Sequence, residues 1–137
     1  MHRPTLPMLV VDDYPAMSRL ISRILVDLGF GKPDQARDGL SALSMLRVQR
    51  YRLVISDWVM EPVSGLELLT QIRADPALTD VPFIMLTAAQ ERDQVLAAKR
   101  ARVDGYILKP FTTETVRYRV SEVLARREGP LAVERVD

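Results

Sequence analysis

The chain has 137 residues, 47% hydrophobic and 27% charged, which is the balance of one ordinary globular domain able to bury a core. Nineteen Lys/Arg against eighteen Asp/Glu leave a formal net charge of +1, which argues neither for nor against a polyanionic partner, and the lack of cysteine excludes disulfides, thiolate metal sites and cysteine nucleophiles. No apolar run approaches the ~18 residues that span a bilayer, and the first ten residues carry no signal-peptide pattern, so a cytoplasmic location without membrane contact is expected.

In chain order, Leu9-Val10-Val11-Asp12-Asp13 reads as a short buried strand ending in carboxylates. Ala16, Leu20, Ile21, Ile24, Leu25 and Leu28 then recur at helical spacing, with Pro15 suited to the first turn and Gly29 to the stop. A weak second strand is expected near residues 32–37, called mainly because strand–helix alternation requires one. Asp38-Gly39 reads as a turn, and Leu40, Leu43 and Leu46 mark a second helix. The third strand, 52–57, ends at Asp57, and an irregular segment over 58–64 leads to Ser64 as N-cap, Gly65 as helix opening and Glu67 in the first turn. Leu66, Leu68, Leu69 and Ile72 continue that helix until Asp75-Pro76 ends it. A fourth strand over 82–87, a helix over 91–101, a strand over 105–108 and a helix over 113–127 complete the pattern. The last helix is expected to bury Val116, Val120, Val123 and Leu124, and residues 128–137, with Gly129-Pro130 and no periodicity, read as a flexible tail.

This alternation predicts an α/β fold, a doubly wound five-stranded parallel sheet with helices on both faces, because parallel neighbours need a crossover and nearly continuous apolar strands have no wet side. In such a sheet the carboxyl ends of all strands lie along one edge. Asp12, Asp13, Asp57, Thr87 and Lys109 all stand at such ends and are therefore expected to converge. An acidic pair alone is as readily a solvated strand end, a strand-end threonine is common and a lysine is usually solvated. Asp57 by itself could equally cap local amides. Together they describe equipment for Mg²⁺ and a phosphoryl group, with Asp57 as a carboxylate nucleophile towards phosphorus.

The chain resembles the receiver domains of bacterial two-component response regulators, particularly the small chemotaxis-type ones. The resemblance is carried by LVVDD at 9–13, LGF at 28–30, DG at 38–39, VISDW at 54–58, GLELL at 65–69, IRAD at 72–75, MLTA at 85–88, GY at 105–106 and KPFT at 109–112. It implies the strand order 2-1-3-4-5, with residues 1–127 as the receiver. It also implies that Asp57 accepts phosphate from a histidine kinase, a phosphotransfer protein or a small phosphodonor. Asp13 would bind Mg²⁺ directly and Asp12 mainly through water, with the main-chain carbonyl of Val59 completing the protein ligands. Lys109, with a cis bond to Pro110, and Thr87 would contact the phosphoryl group, and Tyr106 would swing inward as Thr87 moves. The face built from the fourth helix, fifth strand and fifth helix would then bind a downstream protein. The implied protein is a phosphoacceptor rather than an enzyme acting on a separate substrate, a monomer or weak dimer.

The sequence also departs from the family's pattern. Glu61 holds the place usual for proline, proline has moved to Pro62, and Val59 and Ala89 stand where polar side chains often orient water. A longer-lived acyl phosphate is therefore expected. Residues 92–127 carry nine Lys/Arg and four acids, a segment charge of +5. That suits an acidic protein partner. The alternative is a phosphorylation-independent adaptor that binds a protein or an anionic ligand, such as a cyclic dinucleotide, through Arg117 and Arg119. No DNA-binding module is appended. His2, the single histidine, lies near the terminus, which excludes a phosphotransfer-histidine protein, and P-loop and dinucleotide-type glycine loops are absent.

Overall fold

Strands alternate their side chains between two faces, and here both faces are apolar, so the sheet must be covered twice. In the computed structural model, which describes residues 6–88 and 92–136, with side chains to residue 126, the order is β1 (Met8–Val11), α1 (Pro15–Asp27), β2 (Asp34–Ala36), α2 (Gly39–Val48), β3 (Leu53–Asp57), α3 (Gly65–Ala74), β4 (Phe83–Thr87), α4 (Arg92–Arg100), β5 (Gly105–Leu108) and α5 (Thr113–Val136). All neighbours pair in parallel, in the order β2-β1-β3-β4-β5. The expected fold class and strand order are both found.

Two apolar layers flank the sheet. Met8, Val10, Leu53, Ile55, Ile84, Leu86 and Ile107 meet Ile21, Ile24 and Leu25 of α1 and Val116, Val120 and Val123 of α5. Leu9, Val11, Val54, Phe83 and Met85 point the other way, onto Ala42, Leu43 and Leu46 of α2 and Leu68, Leu69 and Ile72 of α3. Each such buried aliphatic contributes about 1.5–3 kcal/mol relative to exposure, and it is this two-sided burial that fixes the strand register. Leu20 and Leu40, at helical spacing in the sequence, instead face outward, 46% and 53% exposed. Leu124 is only partly buried.

Local chemistry sets the helix ends. Ser64 and Glu67 form a reciprocal capping box at the start of α3, as Ser-x-x-Glu spacing dictates. Asp38 is not merely a turn residue: its carboxylate accepts from the Ser41 amide at 2.7 Å and caps α2. Gly29, at φ +91, closes α1 with amides of Gly29 and Phe30 returning to the Val26 and Leu25 carbonyls. α5 runs beyond residue 127, where the sequence reading ends its last helix.

Arg73, whose side chain is 6% exposed, ties three segments together. It donates to the carbonyls of Thr79, Val81 and Arg102 and to Asp104 Oδ2, which also accepts from the Phe83 amide at 2.7 Å. The turn between α4 and β5 is thereby fastened to the end of α3. Among the described residues no helix is long and apolar enough to cross a membrane.

Candidate phosphoacceptor and metal site

Register brings the polar strand ends together. Val11 lies opposite Ser56 and Asp57 opposite Leu86, while Thr87 lies opposite Leu108. Asp12 thus follows β1 beside Asp57, and Lys109 follows β5 beside Thr87. The Asp12 amide donates to Ala36, the Trp58 amide to Leu86 and the Lys109 amide to Thr87, so the sheet's hydrogen bonding continues into the site.

One carboxylate oxygen from each of Asp12, Asp13 and Asp57 lies within 4.8 Å of the others. Asp12 and Asp57 are buried and Asp13 is exposed. Lys109 Nζ stands 2.9 Å from Asp57 Oδ1. Asp12 Oδ1 accepts from the Tyr14 amide at 2.8 Å, whereas Oδ2 is buried with no hydrogen-bond partner among the described residues. Burial pushes the Asp12 carboxyl up. The Tyr14 amide and Lys109 pull it down, while the charges of Asp57 and Asp13 add to the rise. A buried carboxylate oxygen without a donor beside two more carboxylates is the arrangement a divalent cation relieves. Hard oxygen donors on one open edge suit a metal that keeps several waters. The residues therefore fit a divalent ion.

The segment after Asp57 is held close by Gly65. A Cβ there would run into the Asp57 carbonyl oxygen and come within 2.9 Å of both Trp58 Cα and Met85 Sδ. The Gly65 amide donates to the Trp58 carbonyl at 2.8 Å. Only glycine permits this approach, and the turn leaves Trp58 half-buried, Met60 buried and the Val59 side chain 75% exposed. The Glu61–Pro62 and Lys109–Pro110 bonds are both cis, the second as the resemblance implies. Glu61 is exposed and is not one of the clustered carboxylates.

Thr87 is buried at the end of β4, 2% exposed. Tyr106 is half-buried, its ring packed against the core and its hydroxyl donating to the Val95 and Gln94 carbonyls of α4 at 3.2 and 3.4 Å. Burial pushes this phenol up, so it remains a proton donor at neutral pH. Arg117 and Arg119, the arginines expected to hold an anion, each pair within α5, with Glu114 and Glu122 at 2.5 and 2.7 Å. Ala89 and His2 lie outside the described residues. The sequence reading missed the close approach at Gly65, the Arg73–Asp104 clamp and Gln94. Of these only the glycine, eight residues after the strand-end Asp57, carries a signal in the sequence.

A doubly wound sheet with a carboxylate cluster and a lysine at the carboxyl ends of its strands defines an open α/β domain with its ligand crevice at that edge. The family model for the response regulator receiver domain matches residues 8–121. The chain belongs to that family. It is 42% identical over 118 residues to chemotaxis protein CheY-3 of Vibrio cholerae, covering 86% of this chain and 91% of that one. It is 39% identical over 121 residues to chemotaxis protein CheY of Pseudomonas aeruginosa, covering 88% and 98%. Among solved structures, chemotaxis protein CheY4 of Vibrio cholerae superposes with a TM-score of 0.81 at 28% identity, covering 88% of this chain and 99% of that one. A putative response regulator from Chloroflexus aurantiacus gives 0.83 at 26% identity, covering 89% and 99%.

Proposed function

We propose that the chain is a phosphorylation-driven switch of two-component signalling, with residues 1–127 as its receiver unit and 128–137 an appendage to it. An oxygen of the Asp57 carboxylate attacks the phosphorus of a phosphohistidine on a sensor kinase or phosphotransfer protein, or of a small phosphodonor. The bond to the donor's leaving group breaks as the acyl phosphate forms. Asp13, Asp57 and the Val59 main-chain carbonyl would hold Mg²⁺ directly and Asp12 would hold it through water; when bound, the ion would supply the charge that lets a carboxylate meet a phosphoryl group. Lys109 and Thr87 bind the remaining phosphoryl oxygens, and Tyr106 follows Thr87 inward.

The consequence is a biased two-state equilibrium of the α4–β5–α5 face, which releases or captures a protein partner. The chain acts as a phosphoacceptor and turns over no substrate other than its own phosphoryl group. It works in the cytoplasm as a monomer or weak dimer. The observation that carries this reading is the cluster of Asp12, Asp13 and Asp57 within 4.8 Å, with Lys109 Nζ 2.9 Å from Asp57. An anion-binding adaptor is less well supported, because Arg117 and Arg119 already pair with Glu114 and Glu122.

Peptide mapping after incubation with acetyl phosphate tests the proposal. A single added phosphoryl group on Asp57 is expected. Phosphate on no residue, with tight binding of a cyclic dinucleotide, would establish the adaptor instead.

A further inference from the structure

We propose that Gln94 is a positioning residue of the switch: its side-chain oxygen receives the Tyr106 hydroxyl when the chain passes into its phosphorylated conformation. The inference rests on the function proposed above and names the contact that holds its active state.

Gln94 sits in the first turn of α4, half-buried, and its Oε1 is buried with no hydrogen-bond partner among the described residues. A buried acceptor without a donor forfeits its hydration and gains nothing in return, so it calls for an explanation, and a donor met in a second state is one. The buried Asp12 Oδ2 is such an atom, and a cation accounts for it. Gln94 stands apart from that carboxylate cluster, and what it lacks is a donor.

A donor from β5 already reaches the same turn of α4. Tyr106 O–H lies 3.2 Å from the Val95 carbonyl and 3.4 Å from that of Gln94 itself. Both distances exceed the ~2.7–2.8 Å usual for a hydroxyl donor, and both oxygens belong to a helix that already engages its own carbonyls. The phenol thus makes two long bonds to main-chain carbonyls at the level of Gln94, whose own Oε1 has no partner among the described residues. In β5, Tyr106 lies opposite Met85, two residues before the Thr87 level of the neighbouring strand. A shift of the ring that follows Thr87 exchanges two long bonds for one good one and satisfies Oε1 in the same step.

The sign of a substitution follows. Gln94→Leu removes an unmade acceptor from the resting state and a made bond from the active one, so both effects favour rest. The test places fluorotyrosine in the full chain, assigns the Tyr106 resonance with Tyr106→Phe, and follows it by ¹⁹F NMR with Mg²⁺ and acetyl phosphate, while mass spectrometry monitors the Asp57 adduct. Gln94→Leu is expected to lower the ratio of shifted to resting Tyr106 signal in the phosphorylated protein about fivefold or more. An acceptor satisfied only by buried water would instead change melting temperature and leave the signal ratio unmoved. A normal Asp57 adduct with an unchanged Tyr106 ratio overturns the role of Gln94 alone. Failure to form the adduct overturns the proposed function and this inference with it.

Discussion

Lys109 Nζ lies 2.9 Å from Asp57 Oδ1, joining the end of β5 to the end of β3 across 52 residues of sequence. The ammonium is a resident counter-charge in the place where a metal and a phosphoryl group would meet. It must therefore compete with the metal while assisting the phosphate. A divalent ion about 5 Å from a unit charge is repelled by roughly 1.7 kcal/mol at the dielectric constant of water. Lys109→Met is expected to tighten Mg²⁺ binding about tenfold while slowing phosphorylation. Quenching of Trp58, the only tryptophan and Asp57's chain neighbour, provides the readout. Unchanged Mg²⁺ affinity would show that Lys109 does not face the metal.

Asp12 is the complementary case, a buried carboxylate whose Oδ2 has no donor. Such a group costs the metal-free fold stability, and an amide at that position keeps the oxygen that accepts from the Tyr14 amide. Asp12→Asn is expected to stabilise the metal-free protein by about 1 kcal/mol and to weaken Mg²⁺ binding at least about tenfold. Denaturant melts with and without Mg²⁺ measure both. A less stable metal-free variant would contradict the strain assigned to Asp12.

Asp38 gives a pH dependence with a defined sign. The Ser41 amide and hydroxyl hold its carboxyl below the ordinary 3.8. A depressed folded-state value means the cap stabilises fully above the unfolded value and is lost as pH falls through the folded one. Asp38→Ala is expected to cost about 1 kcal/mol at pH 7, and the difference from wild type should close under acid. Asp38→Asn, which keeps the acceptor without the charge, should show no such closure. Urea melts across pH 2–7 decide it; a gap constant with pH would refute ionic capping.

Val59, 75% exposed beside Asp57, offers no polar group to an attacking water. If Asp57 is phosphorylated as proposed, a slowly hydrolysed acyl phosphate is expected. Val59→Asn is expected to accelerate loss of phosphate on the order of tenfold by orienting that water. Equal decay rates would remove the idea.

Much of this architecture is legible in the sequence. Four of the five strands are apolar runs whose final residues are polar, and parallel pairing alone brings Asp12, Asp57, Thr87 and Lys109 to one edge. The Ser64–Glu67 cap was readable because its signal is confined to four residues. β2 was weak for a physical reason: Asp34-Gln35-Ala36 is a three-residue edge strand with one buried side chain. Asp38-Gly39 is locally ambiguous between a turn and a cap, and only Ser41 above it resolves which. Arg73 and Asp104, 31 residues apart, leave no periodic trace, since a clamp of carbonyls exists only after folding. Leu20 and Leu40 show the limit of helical spacing, which places residues on a stripe without giving its width.

The central claim is that the fold gathers distant carboxylates around a divalent ion so that Asp57 can carry phosphorus. The rate of Asp57 acylation by acetyl phosphate, followed by mass spectrometry as Mg²⁺ is titrated from zero, tests this most directly. The account predicts a saturable rise from a baseline near nothing, abolished by Asp57→Asn and greatly weakened by Asp13→Asn. Acylation at full rate in excess chelator, or a phosphoryl group on another residue, would contradict it.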